Sequence, residues 1–415
     1  MRLAPFAATL LASPLLAQAH PPGTDWIIPA GTNVTYDTSF GPVDAHNVVI
    51  EAGATLRVYG SQPFRLRSTR LVQIDGTLDL SGFFAPDVNC LNCSGLQSPG
   101  GQGGPGGGTG GIANVNTTTW TPAGSDATDA LGNPWIGGLG GHTAFRNSAD
   151  NVRRPGGGGG GGFGPDLPLV NPDPDHVANI GRLAHDGFLG TQFANDAVLG
   201  LGVQPQGGLH AGLAFVNANP LDDFWGRELD PFTGQITVGE LAQLQAGRGG
   251  GGGGDSIQSD VYPPTIPFTV SGPERGAGGG GGGGLGIVSA LLVRFGANGH
   301  VRSNGGHGGS GENSLSGGIT RIAGGGGGGS GGLVLLQARV IDLRLAGAQA
   351  IVALGGAGGH GENDFLNATC AGGSGGPGLI QLHVANASQI LLPPSTQLDE
   401  LTLPPAHVLL PEALP

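Results

Sequence analysis

The chain has 415 residues, of which 87 are Gly and 31 Pro, with 38% hydrophobic and only 11% charged residues. Gly and Pro at that level mark low-complexity chains, but disordered chains are highly charged and poor in apolar residues, so a packed, glycine-rich protein is expected. The net charge of −13 and the scattered arginines exclude a basic nucleic-acid footprint, and the complete absence of Lys excludes a P-loop lysine or a lysine Schiff base.

The first nineteen residues read as a signal peptide. Arg2 supplies the positive charge, Leu3 to Leu16 is mostly apolar, and Ala17, Gln18 and Ala19 have the small-x-small form of a cleavage site. An ordinary N-terminal helix is the alternative, and the change to His20, Pro21, Pro22 and Gly23 argues against it. No later stretch reaches the roughly 18 apolar residues of a membrane span. The expected location is secreted, extracellular or at the cell surface.

Residues 47–82 alternate with period two between turn signals. Val48 and Ile50, Leu56 and Val58, Phe64 and Leu66, Val72 and Ile74, and Leu78 and Leu80 form the apolar pairs. Strands so short and so regular suit the rungs of a solenoid better than a sandwich. The run Val72–Gly82 resembles Val293–Gly305 and Leu343–Gly355, and the glycine-rich block starting at Gly305 recurs at Gly355, 50 residues on. Residues 20–111 are therefore read as N-terminal rungs with a first glycine loop, and 249–386 as a glycine-rich repeat region. Residues 387–415 are read as a Pro-rich tail, and residues 112–248 as an irregular insertion. Within the insertion, Thr237 to Glu240 form a capping box ahead of Leu241 and Leu244, with Gly247 as a stop, which predicts a short helix. Trp120, Trp135 and Trp225 are its expected anchors.

Glycine tracts occupy 100–111, 156–162, 249–254, 278–284, 324–329, 355–361 and 372–378. Polyglycine as a free linker is one reading. Ordering seven such residues costs about 7–14 kcal/mol, which only dense backbone pairing offsets. Extended three-fold helices supply that pairing, because glycine alone lets backbones approach so closely. Three tracts run straight into apolar strands beginning at Leu285, Leu333 and Leu379, which favours the packed reading. The fold class expected is all-β: a right-handed parallel β-helix-like solenoid with packed, polyglycine-II-like tracts and an irregular insertion.

The run from Asn47 to Gly82, with the tracts that follow, resembles secreted bacterial glycine-rich β-helix surface proteins. That loosely defined group implies surface or matrix placement and carries no agreed activity, so the resemblance transfers no site.

Chemical motifs are sparse. Gly328–Gly332 and Gly372–Gly376 fit G-x-S-x-G without the strand and helix of a nucleophile elbow, and Gly254–Ile257 lacks the preceding strand of a GDSL block. Calcium is the candidate cofactor: Gly308–Ser316 and Gly358–Leu366 resemble the β-roll nonapeptide. Their candidate oxygen ligands are Glu312, Asn313, Glu362, Asn363 and Asp364. Asn313 and Asn363 stand where the pattern has Asp, and the two copies are not in tandem. Asn171–His176 is a second carboxylate cluster, read as a proline-stiffened turn. Cys90, Cys93 and Cys370 are disulfide candidates in an oxidising compartment, with a metal half-site as the alternative. His176, His185, Asp186, and Asp222 with Asp223 beside Trp225 could line a sugar cleft. The function expected is non-enzymatic: a structural or adhesive component of a cell surface or matrix, with surface polysaccharide or matrix components as partners. A carbohydrate-binding or polysaccharide-cleaving β-helix protein is the alternative.

Overall fold

The computed structural model describes residues 20–87, 99–112, 127–128, 134–135, 144–146, 222–253, 256–258, 279–311, 313–316, 319–322, 324–360 and 372–415. The strands are β1 (Thr24–Ile28), β2 (Asn33–Asp37), β3 (Val43–Ile50), β4 (Thr55–Tyr59), β5 (Phe64–Ile74) and β6 (Thr77–Asp79). Short pieces follow: β7 (Ala127–Thr128), β8 (Pro134–Trp135), β9 (Ala144–Arg146), β10 (Arg227–Leu229), β11 (Ile236–Val238) and β12 (Ser256–Gln258). Then come β13 (Leu285–Phe295), β14 (His300–Arg302), β15 (Asn313–Ser316), β16 (Ile319–Ile322), β17 (Leu333–Asp342) and β18 (Ile351–Val352). The last are β19 (Leu379–His383), β20 (Ile390–Leu391), β21 (Thr402–Leu403) and β22 (His407–Leu409). One α-helix, the four-residue Leu398–Leu401, is present among the described residues beside two short 3-10 turns, and none of their helices is long and apolar enough to cross a membrane.

The protein is all-β, and its two large sheets are parallel. The first runs β1-β3-β5-β13-β17-β19-β22, with β20 also on β17, and the second runs β2-β4-β6-β14-β18-β21. From β1 to β6, and again through β13, β14, β17, β18 and β19, strands fall alternately in the two sheets, and each pairs in parallel with its neighbours in its own sheet. The turns that switch sheets after β1 and β3 rest on Gly31 and Gly53, at φ +70° and +74°, a conformation glycine adopts without a Cβ penalty. The ten apolar residues of the 47–82 pattern are all buried. They form one core with Val288, Val293, Phe295, Val334, Leu336, Ile351 and Ile380, drawn from both sheets. Phe64–Leu66 and Val72–Ile74 lie in a single strand, β5, whose register shifts near residues 68–71.

β13 and β17 begin as continuous apolar runs because both faces are covered there. The inner face feeds the main core. The outer face, through Leu285, Ile287, Leu333, Leu335 and Leu379, packs against Leu241, Leu244 and Ala246, with Trp225 and Leu414 at the margin.

Several expectations are corrected. Thr237 lies in strand β11, paired antiparallel with β10, and no helix follows. Gly239 donates to Gly226 O (2.9 Å) and sits against Phe224, so tertiary pairing overrides the capping signal. Residue 248 is not a boundary, because Gly247 and Arg248 are hydrogen-bonded into the glycine tracts. Residues 387–415 are no tail: β20, β21 and β22 extend both sheets. The repeat alignment also slips. Val293 pairs with Ile341, 48 residues on, whereas Val301 pairs with Ile351, 50 residues on. The corner after β17 absorbs the two extra residues.

The tracts are hydrogen-bonded to one another with period three. Gly279 and Gly282 donate to Gly111 and Gly108, Gly280 and Gly283 to Gly327 and Ser330, and Gly281 and Gly284 to Phe83 and Leu80. Their carbonyls accept from a further set: Gly101, Gly250, Gly306, Gly104, Gly247 and Leu333 in turn. The second tract repeats the arrangement. Gly326, Gly329 and Gly332 donate to Gly309, Gly306 and Ser303, Gly327 and Ser330 to Gly251 and Arg248, and Gly328 and Gly331 to Gly373 and Gly376. A Cβ on Gly279, Gly281, Gly329 or Gly356 would overlap a neighbouring backbone carbonyl.

Candidate functional site

Where the chain enters β10 and leaves β11, Phe224 N and Glu240 N both donate to Asp222 O (2.8 and 2.9 Å), and Leu241 N donates to Phe224 O. This crossing gathers Asp222, Asp223 and Glu240 so that one carboxylate oxygen of each lies within 4.8 Å of the others. Asp223 is buried and the other two are half-buried. Asp222 and Asp223 were legible as a pair beside Trp225. Glu240 was not, because it read as part of a helix cap. Trp225 packs at the edge of the second core, its ring 5.7 Å from that of His383.

His383, at the end of β19, is buried. Its Nδ1 lies 2.8 Å from Leu410 O, and Nε2 has no hydrogen-bond partner among the described residues. Burial pushes its pKa down, against smaller upward effects of the Leu410 contact and the Glu412 charge. Gln381 Nε2 donates to Trp225 O at 3.0 Å. Beyond β22, Glu412 accepts from Arg227 Nε at 2.6 Å and exchanges two backbone hydrogen bonds with the Gln337 side chain. The last residues thus strap the 222–248 segment onto β17 and β19.

A different surface lies on the tracts that leave the second sheet. Three adjacent segments follow β6, β14 and β18, and in each a non-glycine residue recurs at every third position. The rows are Ser81, Phe84, Asp87; Asn304, His307, Ser310; and Leu354, Ala357, His360. These positions are exposed or half-buried, while Gly82, Ala85, Gly306, Gly309, Gly356 and Gly359 between them are buried. With no described tract outside them, the outward N–H groups need other acceptors, and side chains of the preceding row supply four. Asn304 N donates to Ser81 Oγ (3.1 Å), Leu354 N to Asn304 Oδ1 (2.9 Å), Ser310 N to Asp87 Oδ1 (2.8 Å) and Ala357 N to His307 Nδ1 (2.8 Å). Phe84, 66% exposed, lies against His307 at 4.8 Å between ring centroids. Beside it the Arg57 guanidinium, bonded to Asp79, sits 4.2 Å over the Phe83 ring. Sequence reasoning missed this face, although the three-residue spacing was visible within the repeat.

Of the calcium candidates, Glu312, Glu362, Asn363 and Asp364 lie outside the described residues. Asn313 opens β15, which pairs antiparallel with β16, whereas β-roll turns are parallel. Cys90, Cys93, Cys370, His176, His185, Asp186, Trp120, the signal segment 1–19, Asn171–His176 and the tract 156–162 also lie outside them. Ser330 of the first G-x-S-x-G is buried, and its Oγ accepts from Arg248 N at 2.7 Å, which makes it a tract residue. Comparison with protein-family models, with curated proteins and with solved structures finds no match.

Proposed function

We propose that this chain is an exported, rigid, non-enzymatic structural or adhesive protein of a cell surface or extracellular matrix. In this reading its two parallel sheets are the walls of a right-handed parallel β-helix-like solenoid. Its glycine tracts are three-fold extended helices packed as a polyglycine-II-like bundle along one side. The observation that carries the reading is the period-three pairing of Gly279–Gly284, in which every amide donates and every carbonyl accepts. An extended helix with three residues per turn and no internal hydrogen bonds directs its polar groups outward in that rhythm. Such a body resists bending and offers ordered outer faces, which suits adhesion. The polysaccharide-cleaving alternative is the weaker one, because Asp223 in the acidic cluster is buried between the half-buried Asp222 and Glu240.

Hydrogen exchange on the whole mature protein, read at the tract peptides, tests the scaffold. Strong protection of Gly279–Gly284 and Gly324–Gly332 is expected, and exchange at free-peptide rates overturns the reading. Fractionation of expressing cells tests placement: recovery from the medium or the surface fraction is expected, and retention inside the cell refutes export.

A further inference from the structure

We infer that the face formed by the Ser81, Asn304 and Leu354 rows is a docking surface for an uncharged polysaccharide chain. The inference rests on the adhesive-scaffold reading and deepens it by naming the partner.

Three observations carry it. First, the face joins an exposed ring to fixed polar groups. Phe84 presents 66% of its surface and is backed by His307, and an aromatic ring offers the apolar face on which sugar C–H groups stack. Around it, Asn304 uses its Oδ1 on Leu354 N, and among the described residues its amide N–H groups donate to nothing. Asp87 likewise spends Oδ1 on Ser310 N. Donors and acceptors for hydroxyl groups are thus left over on side chains that are already held in place.

Second, the groups are pre-positioned. Ser81, Asn304, His307 and Asp87 are each pinned to the backbone of the next row, so a ligand orders few free rotamers on binding. The three-residue period places successive side chains about 9 Å apart along a tract at ~3.1 Å per residue. A repeating flat array suits an extended polymer better than an isolated small molecule, which needs a concave pocket.

Third, charge and patch continuity select the class. A protein of net charge −13 repels polyanions. Phe84 and Leu354 are separated by the Asn304 and His307 row, so the face lacks the continuous apolar patch that a lipid surface or a hydrophobic protein interface requires. An uncharged, hydroxyl-rich chain satisfies both conditions.

The test is a depletion assay of the full mature chain on insoluble cellulose and on insoluble chitin, with tract hydrogen exchange measured on each preparation. Retention on at least one polymer is expected, with Phe84→Ala lowering the bound fraction about fivefold. Asn304→Asp keeps the acceptor for Leu354 N while removing the donors, and should also weaken retention. Phe232→Ala, at a hairpin position 96% exposed, should bind as the parent does. The inference is overturned if the parent is held by neither polymer, or if Phe84→Ala and Asn304→Asp bind as it does. Unprotected tracts in the parent would instead sink the scaffold reading, whereas protected tracts without retention sink only this inference.

Discussion

At Gly281 the amide donates to Phe83 O, the carbonyl accepts from Gly306 N at 2.7 Å, and an added methyl would run into the backbone of Gln102. The obstacle is backbone, which cannot rotate away as a flexible side chain can. Gly281→Ala and Gly329→Ala should each lower stability by about 3 kcal/mol or more, the upper end of overpacking costs, read as a drop in the urea midpoint. Gly31 has open space around it but φ +70°, so Gly31→Ala meets only left-handed strain of roughly 1–2 kcal/mol. Another residue-scale effect concerns acid. Asp342, buried on β17, is hydrogen-bonded by Arg344 at 2.9 Å and faced by Arg294. Arg344 first, against some desolvation, holds its pKa at about 2. A depressed carboxyl pKa stabilises the fold above the unfolded value near 4 and loses that contribution as pH falls toward 2. Both arginines are well exposed, so the screened contribution is about 1 kcal/mol. Asp342→Asn should cost that amount at pH 7 and nothing near pH 2 in parallel denaturation series.

Individual strands show what the sequence could disclose. The pairs from Val48 to Leu80 alternate cleanly because one face meets the core, and each is buried as the spacing implies. β1 and β2 precede the 47–82 pattern, and β21 and β22 lie among prolines that mask two- and three-residue strands. No local signal announces their pairing, which parallel neighbours supply from afar. The helix expected at Thr237 fails for the same reason: β10 and the outer face of β13 and β17 claim that segment. The carboxylate cluster was half legible, since Asp222 and Asp223 adjoin in sequence while Glu240 arrives through a chain crossing. The closing strap carries its own pH dependence. His383 has a pKa lowered mainly by burial, so the unfolded chain takes up its proton first as pH falls below about 6.5. Stability should decline from there downward, and His383→Gln should flatten the slope in thermal melts between pH 7 and 5. Hydrogen exchange at β22 should quicken over the same range in the parent protein.

For the whole molecule, two kinds of cohesion run side by side. The sheets enclose an aliphatic core, whereas the tracts hold together through backbone groups with almost no side chains between them. Gly324–Gly332 touches tracts around it through Gly309, Gly251, Gly373 and Gly359. Loss of one segment therefore leaves many others with unmet donors, and the tracts should unfold in a single step. Excising residues 372–378 should abolish exchange protection across 324–332 as well.

This division has a calorimetric consequence. Heat capacity rises on unfolding in proportion to the apolar surface exposed, and polar exposure lowers it. A tract bundle exposes mainly peptide groups when it opens, so its share of the heat-capacity increment should fall below the usual 12–15 cal/mol/K per residue. A smaller increment flattens the dependence of stability on temperature and pushes cold denaturation further down. The glycines that look costly at the level of chain entropy thereby give the molecule a cohesion that survives cooling, when an oily core weakens.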